Sequence, residues 1–309
     1  MSLGLMCQWI EPRVKRDGTV VYENALDEKS LQLGAYRDGK YNEGRILDTY
    51  RGNVKEVLRV ISKLNEHNIK SFRLSSSLFP LYEFCGHLAR NDEQIKSDLA
   101  TAGKRFREAG IRVTTHPGQF TVISSDKDSI VQNSIRELEY HAWVFDAMGF
   151  DATPYYAINI HGGKRDRSDR IVEVFNSLPL NVKNRLTLEN DEKCYNVKQL
   201  LAIHDRTGVP VVFDTHHYTF GDGDLPLDDA FWGSMGTWGN VKPLQHLSNT
   251  EIGMENGSYT ERRAHSQMIR YIPPLQLEAI RDNVVDVDVE AKLKNIALLK
   301  MREEFNIPN

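Results

Sequence analysis

A chain of 309 residues with 40% hydrophobic side chains can bury a full core, as two average domains or as one strand–helix barrel with insertions. Its 39 basic and 43 acidic residues give a net charge of −4, which argues against a polybasic binder but leaves local basic surfaces and phosphate binding through metals open. Three scattered cysteines, Cys7, Cys85 and Cys194, exclude a disulfide framework or zinc ribbon and fit a reducing cytosol. No signal peptide is read at the N-terminus, and no apolar run approaches the roughly 18 to 20 residues of a membrane span.

In chain order, Leu3–Cys7 reads as a first buried strand, and residues 11 to 45, polar and without clear periodicity, as a long excursion at one end of the fold. Val54, Leu58 and Ile61 mark a helix over 46–66, followed by a second strand, Lys70–Leu74. A loop with Ser75-Ser76-Ser77 and Pro80 leads to a helix over 92–109, closed by Gly110, and a third strand over 111–115. Val131, Ile135, Leu138, Ala142 and Phe145 define a long amphipathic helix ending near Gly149. The fourth strand, 155–160, precedes a helix over 167–178; the fifth, 185–189, precedes a helix over 196–206. The sixth strand, 209–213, carries Pro210 near its start, where a missing N–H is tolerable, and a helix over 226–235 follows. The seventh strand spans 241–246, a long loop 247–273, a short helix 274–282, the eighth strand 284–289 and a closing helix 291–305.

Eight strands alternating with helices imply parallel strands with crossover helices, and the count favours closure. The expected architecture is a TIM (β/α)8 barrel, a single domain over 1–309 with long loops at the C-terminal face. An open doubly wound sheet would need a Gly-rich phosphate turn, and neither G-x-G-x-x-G nor a P-loop occurs.

A parallel barrel brings every strand's carboxyl end to one mouth. His116, His161, Glu189, Asp214, His246 and Glu290 stand at strand ends, with His217 and His265 in the loops that follow. Each has an ordinary structural reading alone, as a turn histidine or a capping acid. Together they are the residue types that hold divalent cations. In His116-Pro117-Gly118-Gln119, Pro117 fixes the backbone behind the imidazole; His161 is followed by Gly162-Gly163, which permits close approach of a ligand or a loop. Asp214 ends the apolar run Val209-Pro210-Val211-Val212-Phe213, where a carboxylate is costly unless paired or metal-bound. Glu189 can bridge two ions, one per oxygen, with Asn190 supporting it. His216 is expected to point elsewhere, and His67, His87, His141 and His204 lie in helical or surface stretches.

The runs Phe72-Arg73-Leu74-Ser75-Ser76-Ser77-Leu78-Phe79-Pro80, His116-Pro117-Gly118-Gln119-Phe120, Leu188-Glu189-Asn190-Asp191-Glu192, Phe213-Asp214-Thr215-His216-His217 and His246-Leu247-Ser248 resemble the UV damage endonuclease family from Leu3 to Glu290. That family is akin in fold to endonuclease IV and to xylose isomerase-like sugar enzymes. The resemblance implies a metal-dependent DNA endonuclease that cuts immediately 5′ of a UV photoproduct or abasic site. It implies one ion on His116, His161 and Glu189, a second on Glu189, Asp214, His246 and Glu290, and a third on His217 and His265. Manganese is the ion it implies, and the donors would also accept zinc or magnesium. Glu189, Asp214, His246 and Glu290 would carry the catalysis. Gln119 and Phe120 match a Gln-Tyr pair inserted at the lesion, Phe120 lacking the hydroxyl. Ser77, Arg73 and Asn190 would contact the lesion or its strand, with Lys164, Arg165, Arg262 and Arg263 as further phosphate contacts. A monomer acting in the cytoplasm on nucleoid double-stranded DNA is expected. The chain departs from the family at Leu5-Met6-Cys7-Gln8, where a Tyr is usual, at Leu244, where Lys is usual, and at Ser77, where some members have His. The competing readings are a metal-dependent sugar isomerase or epimerase and a non-catalytic binder of damaged DNA.

Overall fold

Eight short parallel strands close into a barrel in the computed structural model, which describes residues 2–221 and 225–308. The strands are β1 (Ser2–Met6), β4 (Ser71–Leu74), β5 (Arg112–Thr115), β6 (Ile158–Ile160), β7 (Leu186–Glu189), β8 (Val211–Asp214), β9 (Leu244–Leu247) and β10 (Asp286–Val289); an antiparallel hairpin of β2 (Ile10–Val14) and β3 (Val20–Asn24) stands apart. Around the barrel the order is β1, β10, β9, β8, β7, β6, β5, β4, and β4 pairs with β1 to close the ring. This is the TIM barrel expected from the alternation.

Crossover helices cover the outside because their apolar positions fall on one stripe. In the helix Glu43–Glu66, Ile46, Tyr50, Val54, Val57, Ile61 and Leu64 are buried at helical spacing, and Asn42 caps its start by accepting from the Arg45 N–H at 2.9 Å. The helix Val197–Thr207 opens with a reciprocal Asn196–Gln199 capping box. Among the described residues no helix is long and apolar enough to cross a membrane.

The structure departs from the sequence reading in four places. Residues 11–45 are not wholly irregular: β2 and β3 form a hairpin beside which Asn295 exchanges two hydrogen bonds with Ile10 and the Trp9 ring packs 4.9 Å from His67, and a short helix, Leu33–Arg37, follows. A further helix, Tyr82–Asn91, precedes Glu93–Glu108. β6 starts at Ile158 rather than 155, because Pro154–Tyr156 forms a 3₁₀ turn. β8 and β9 start just after Pro210 and Pro243, neither of which has an N–H for a ladder.

The barrel interior is unusual in its charge. Branched apolar chains commonly fill such an interior, yet Arg112 is wholly buried at its base. Arg112 meets Asp286 at 3.1 Å and donates to the carbonyls of Tyr155 and Lys242, so its charge is matched. The described acids Asp286, Asp288 and Glu290 alternate along β10 and beyond its end, all on the inner face.

Candidate metal centre

Glu189, the last residue of β7, is buried and lies among side chains from three other strand ends. Its Oε2 is 3.1 Å from His116 Nε2, its Oε1 is 3.0 Å from His246 Nδ1 and 4.0 Å from His217 Nε2, and Asn159 of β6 donates to Oε2. The His116 ring is oriented by its own turn: Nδ1 donates to the Pro117 carbonyl at 3.0 Å, which aims Nε2 at the carboxylate.

Asp214 is held differently. Its Oδ1 accepts from the backbone N–H of His217 at 2.7 Å, capping the short helix Thr215–Tyr218 that turns the His217 ring back over the mouth. Asn190 donates to the Asp214 carbonyl at 3.0 Å and accepts from its N–H at 2.7 Å. Asn190 is thus a buried brace for Asp214, not a surface contact for a lesion, and it supports Asp214 instead of Glu189. Among the described residues, Asp214 Oδ2 and His161 Nδ1 are buried side-chain atoms without a hydrogen-bond partner.

Four groups of His and carboxylate residues have their ligand atoms within 4.8 Å of one another: His116–His161–Glu189, His161–Asp191–His217, Glu189–Asp214–His217 and Asp214–His246–Glu290. Mixed imidazole and carboxylate donors, with two ligand atoms lacking a hydrogen-bond partner, suit a divalent cation such as Mn²⁺ or Zn²⁺. His265 belongs to none of these groups; it reaches Glu290 Oε2 at 3.3 Å and its ring lies 6.0 Å from His216. Asp191 stands with His161 and His217 in one of these groups. His216 turns its Nε2 to the Arg263 carbonyl at 3.1 Å, away from the groups.

Electrostatics follow from burial opposed by neighbours. Burial pushes Glu189 up, but His246, His161 and His116 outweigh it and hold the carboxyl well below its usual range. Glu290 likewise stays ionised because Arg73, His246 and His265 overcome burial. Burial lowers His161 below its ordinary 6.5, against the pull of Glu189, and so favours the form that ligates a metal. His217 is pushed up to about 10: burial opposes the charge, and Asp214, Glu192 and Glu189 overcome it. Glu192 accepts from His217 Nδ1 at 2.6 Å, which directs Nε2 to the cluster, and pairs with Arg263.

Gln119 and Phe120 lie at the apex of a turn closed by the Thr121 N–H on the Gly118 carbonyl at 2.9 Å, and Phe120 is 83% exposed. Gly162 and Gly163, at φ 78° and 101°, let the next loop run against this one: a Cβ on Gly163 would come within 2.4 Å of Val122. Ser77 is exposed nearby in sequence to the buried Leu78 and Phe79. Lys164 pairs with Asp126, Arg165 donates to the Glu192 carbonyl at 3.2 Å, and Arg262 covers the Phe220 ring. Arg73 does not serve the surface. It is buried and engaged by Asp288 at 3.3 Å, Glu290 at 2.6 Å and His246 at 2.7 Å, so it is withheld from phosphates at the mouth.

Asp191, Glu192, Asn159 and Asp288 were not among the candidate residues read from the sequence. A signal existed for two of them. Asn159 interrupts an apolar strand, and Asp288 alternates with Asp286 and Glu290, so period-two reading puts all three acids on one face.

The model of the family "UV-endonuclease UvdE" matches residues 19–308. The chain is similar to the UV DNA damage endonucleases of Nostoc sp., 33% identical over 97% of this chain and 89% of that protein, and of Deinococcus radiodurans, 32% identical over 97% and 94%. Its structure is similar to the crystal structure of SacUVDE, with a TM-score of 0.79 and 28% identity over 100% of both chains. A match over nearly the whole length, on a barrel whose mouth gathers these histidines and carboxylates, means that this chain belongs to the UV-endonuclease UvdE family.

Proposed function

We propose that this protein is a metal-dependent DNA endonuclease that hydrolyses the phosphodiester immediately 5′ of UV photoproducts and of abasic sites, leaving a 3′-hydroxyl. The observation that carries the reading is Glu189 shared among His116, His246 and His217, with Asp214 and Glu290 beside it, in a chain whose relatives are named UV DNA damage endonucleases. His116, His161 and Glu189 would hold one cation and Glu189, Asp214, His246 and Glu290 a second, with His217 and Asp191 available to a third. Manganese is the proposed ion. When bound, such cations supply Lewis acidity toward a phosphodiester and its attacking water.

The chain's own residues do the rest. Glu192 fixes the His217 ring, and Asn190 and the His217 N–H fix Asp214, so these ligand atoms would receive a cation without reorganising. Gln119 and Phe120 would enter the duplex at the weakened step, the ring replacing lost stacking and the amide meeting exposed base edges. The reading carries with it a monomer working in the cytoplasm on nucleoid DNA.

The test is nicking of a duplex with one defined cyclobutane dimer, with manganese, with chelator, and with Glu189→Ala. Manganese-dependent cuts 5′ of the dimer that vanish in the variant are expected. Tight binding without cutting would make the protein a damage-binding module. Neither binding nor cutting would defeat the DNA reading and direct a screen toward monosaccharide epimerisation.

A further inference from the structure

We propose that Arg73 is a positioning residue for His246 and Glu290, locked in place by a carboxylate inside the barrel wall, Asp288, in space that Gly4 leaves free. The proposal rests on the metal-dependent reading above and deepens it.

Strand register supplies the geometry. Gly4 of β1 pairs with Asp288 of β10 on one side and with Ser71 of β4 on the other, and Asp288 pairs with His246 of β9. These four positions form one layer of the barrel. Arg73 and Glu290 stand two residues further along their strands, on the same inner face and one step nearer the mouth. A guanidinium leaning down from Arg73 therefore spans both layers.

Every charged atom in this column has a partner. Asp288 is 0% exposed; its Oδ1 accepts from Ser71 Oγ at 3.2 Å, and its Oδ2 accepts from Thr114 Oγ1 at 3.1 Å and from Arg73 Nε at 3.3 Å. Arg73, 5% exposed, places Nη1 2.6 Å from Glu290 Oε1 and Nη2 2.7 Å from His246 Nε2. The same Nη2 lies 3.3 Å from His246 Nδ1, which is itself 3.0 Å from Glu189 Oε1, so the guanidinium packs against both ring nitrogens. One side chain thus sets the ring orientation of His246 and fixes an oxygen of Glu290. A lysine, with a single point charge, cannot hold three partners in this fork.

Room for the carboxylate is built in. A Cβ on Gly4 would fall 1.9 Å from Asp288 Oδ1 and 3.0 Å from Ser71 Oγ. Stability alone does not call for this arrangement, since well-packed apolar residues commonly replace a buried ion pair without loss. The charges are explained by what they touch, which is two members of the Asp214–His246–Glu290 group.

The experiment measures Mn²⁺ binding to full-length wild type, Asp288→Asn, Arg73→Lys and Gly4→Ala by calorimetry and electron paramagnetic resonance, with melts of the metal-free proteins alongside. Asp288→Asn and Arg73→Lys are expected to keep an ion at His116–His161–Glu189. They are expected to lose about ten- to a hundredfold in affinity at the second group, as loss of an outer partner usually does. The spin-coupled manganese signal of the wild type should give way to that of an isolated ion. Gly4→Ala should reproduce this from a residue that touches no ligand. Unchanged stoichiometry, affinity and spectrum in Asp288→Asn and Arg73→Lys overturns the proposal and leaves the metal reading standing. If Asp288→Asn does not fold, Arg73→Lys, which keeps the charge and every buried carboxylate, decides in the same way. Wild type that binds no manganese overturns both.

Discussion

Glu189 would be neutral if burial acted alone, because a carboxylate inside a barrel has lost its water. Three surrounding histidines reverse that outcome, and in return His246 and His217 are drawn toward the charged state. A ligating nitrogen must be unprotonated. With His217 raised to about 10, a cation binding there displaces a proton at any lower pH, so apparent affinity is expected to rise with pH toward that value. Calorimetry of Mn²⁺ binding near neutral pH, in buffers of different ionisation enthalpy, should report about one proton released from this residue; a heat independent of buffer would contradict it. Phe120 makes the opposite kind of prediction. With 83% of its surface exposed, its loss should leave stability within about 0.5 kcal/mol. Phe120→Ala is nevertheless expected to weaken binding to a dimer-containing duplex by about 1–3 kcal/mol, the usual worth of one stacked aromatic. Equal affinity in a gel-shift titration would remove the ring from the lesion contact. At this scale the sequence was readable where a residue type is rare in its surroundings, as with Asp214 after five apolar positions. Arg73 was misplaced because an arginine beside three serines looks like surface, and nothing local reports that its partners are Asp288 and Glu290.

Helices were the most legible elements, since a stripe at 3.6 spacing depends only on the chain itself. The helix Tyr82–Asn91 escaped because it is short and buries only Cys85, Gly86 and Ala89. The β2–β3 hairpin did carry a signal, Asp17-Gly18 between Val14 and Val20, but both strands are largely exposed and lack the alternation that marks a half-buried strand. The junction at Asp92 shows how elements are joined. Asp92 Oδ1 accepts from the Ile95 N–H at 2.9 Å, capping the helix Glu93–Glu108, while Oδ2 lies 2.5 Å from Arg51 of the helix Glu43–Glu66. The Arg51 hydrogen bond, outweighing burial, lowers this carboxyl below its ordinary 3.8. A lowered carboxyl adds stability that is present above its unfolded value and lost as pH falls through the folded one. Asp92→Ala is expected to cost about 1–2 kcal/mol in urea unfolding at neutral pH, mostly through the cap. Asp92→Asn keeps the cap and should cost only about 0.5 kcal/mol, with a smaller loss of stability below pH 3.8 than wild type. Equal losses in the two variants would show that the ion pair, not the cap, joins these helices.

Closure of eight strands removes every free edge of the main sheet and fixes the distance between strand ends, so the ligand groups are part of the fold's own geometry. A cation held by residues from several strands binds the folded chain and not the unfolded one. At a hundred times its Kd it should stabilise the protein by about 2.7 kcal/mol, which for a chain of this size is a rise in Tm of roughly 4 °C. Melts with manganese and with chelator should show that difference in wild type and little of it in Glu189→Ala; an identical shift in the variant would place the ion elsewhere. The sequence by itself determined the alternation of eight strands with helices, the presence of His, Asp and Glu at strand ends, and the Gln119–Phe120 turn, because periodicity, chain direction and turn chemistry are local. Only the tertiary structure decided which of those donors share a group, that Asp191 stands with His217 while His265 faces Glu290, and that Arg73 is an internal residue. Those outcomes depend on strand register, which brings Ser71 and Asp288 together across 217 residues of chain, and on which face of each strand the closed barrel turns inward.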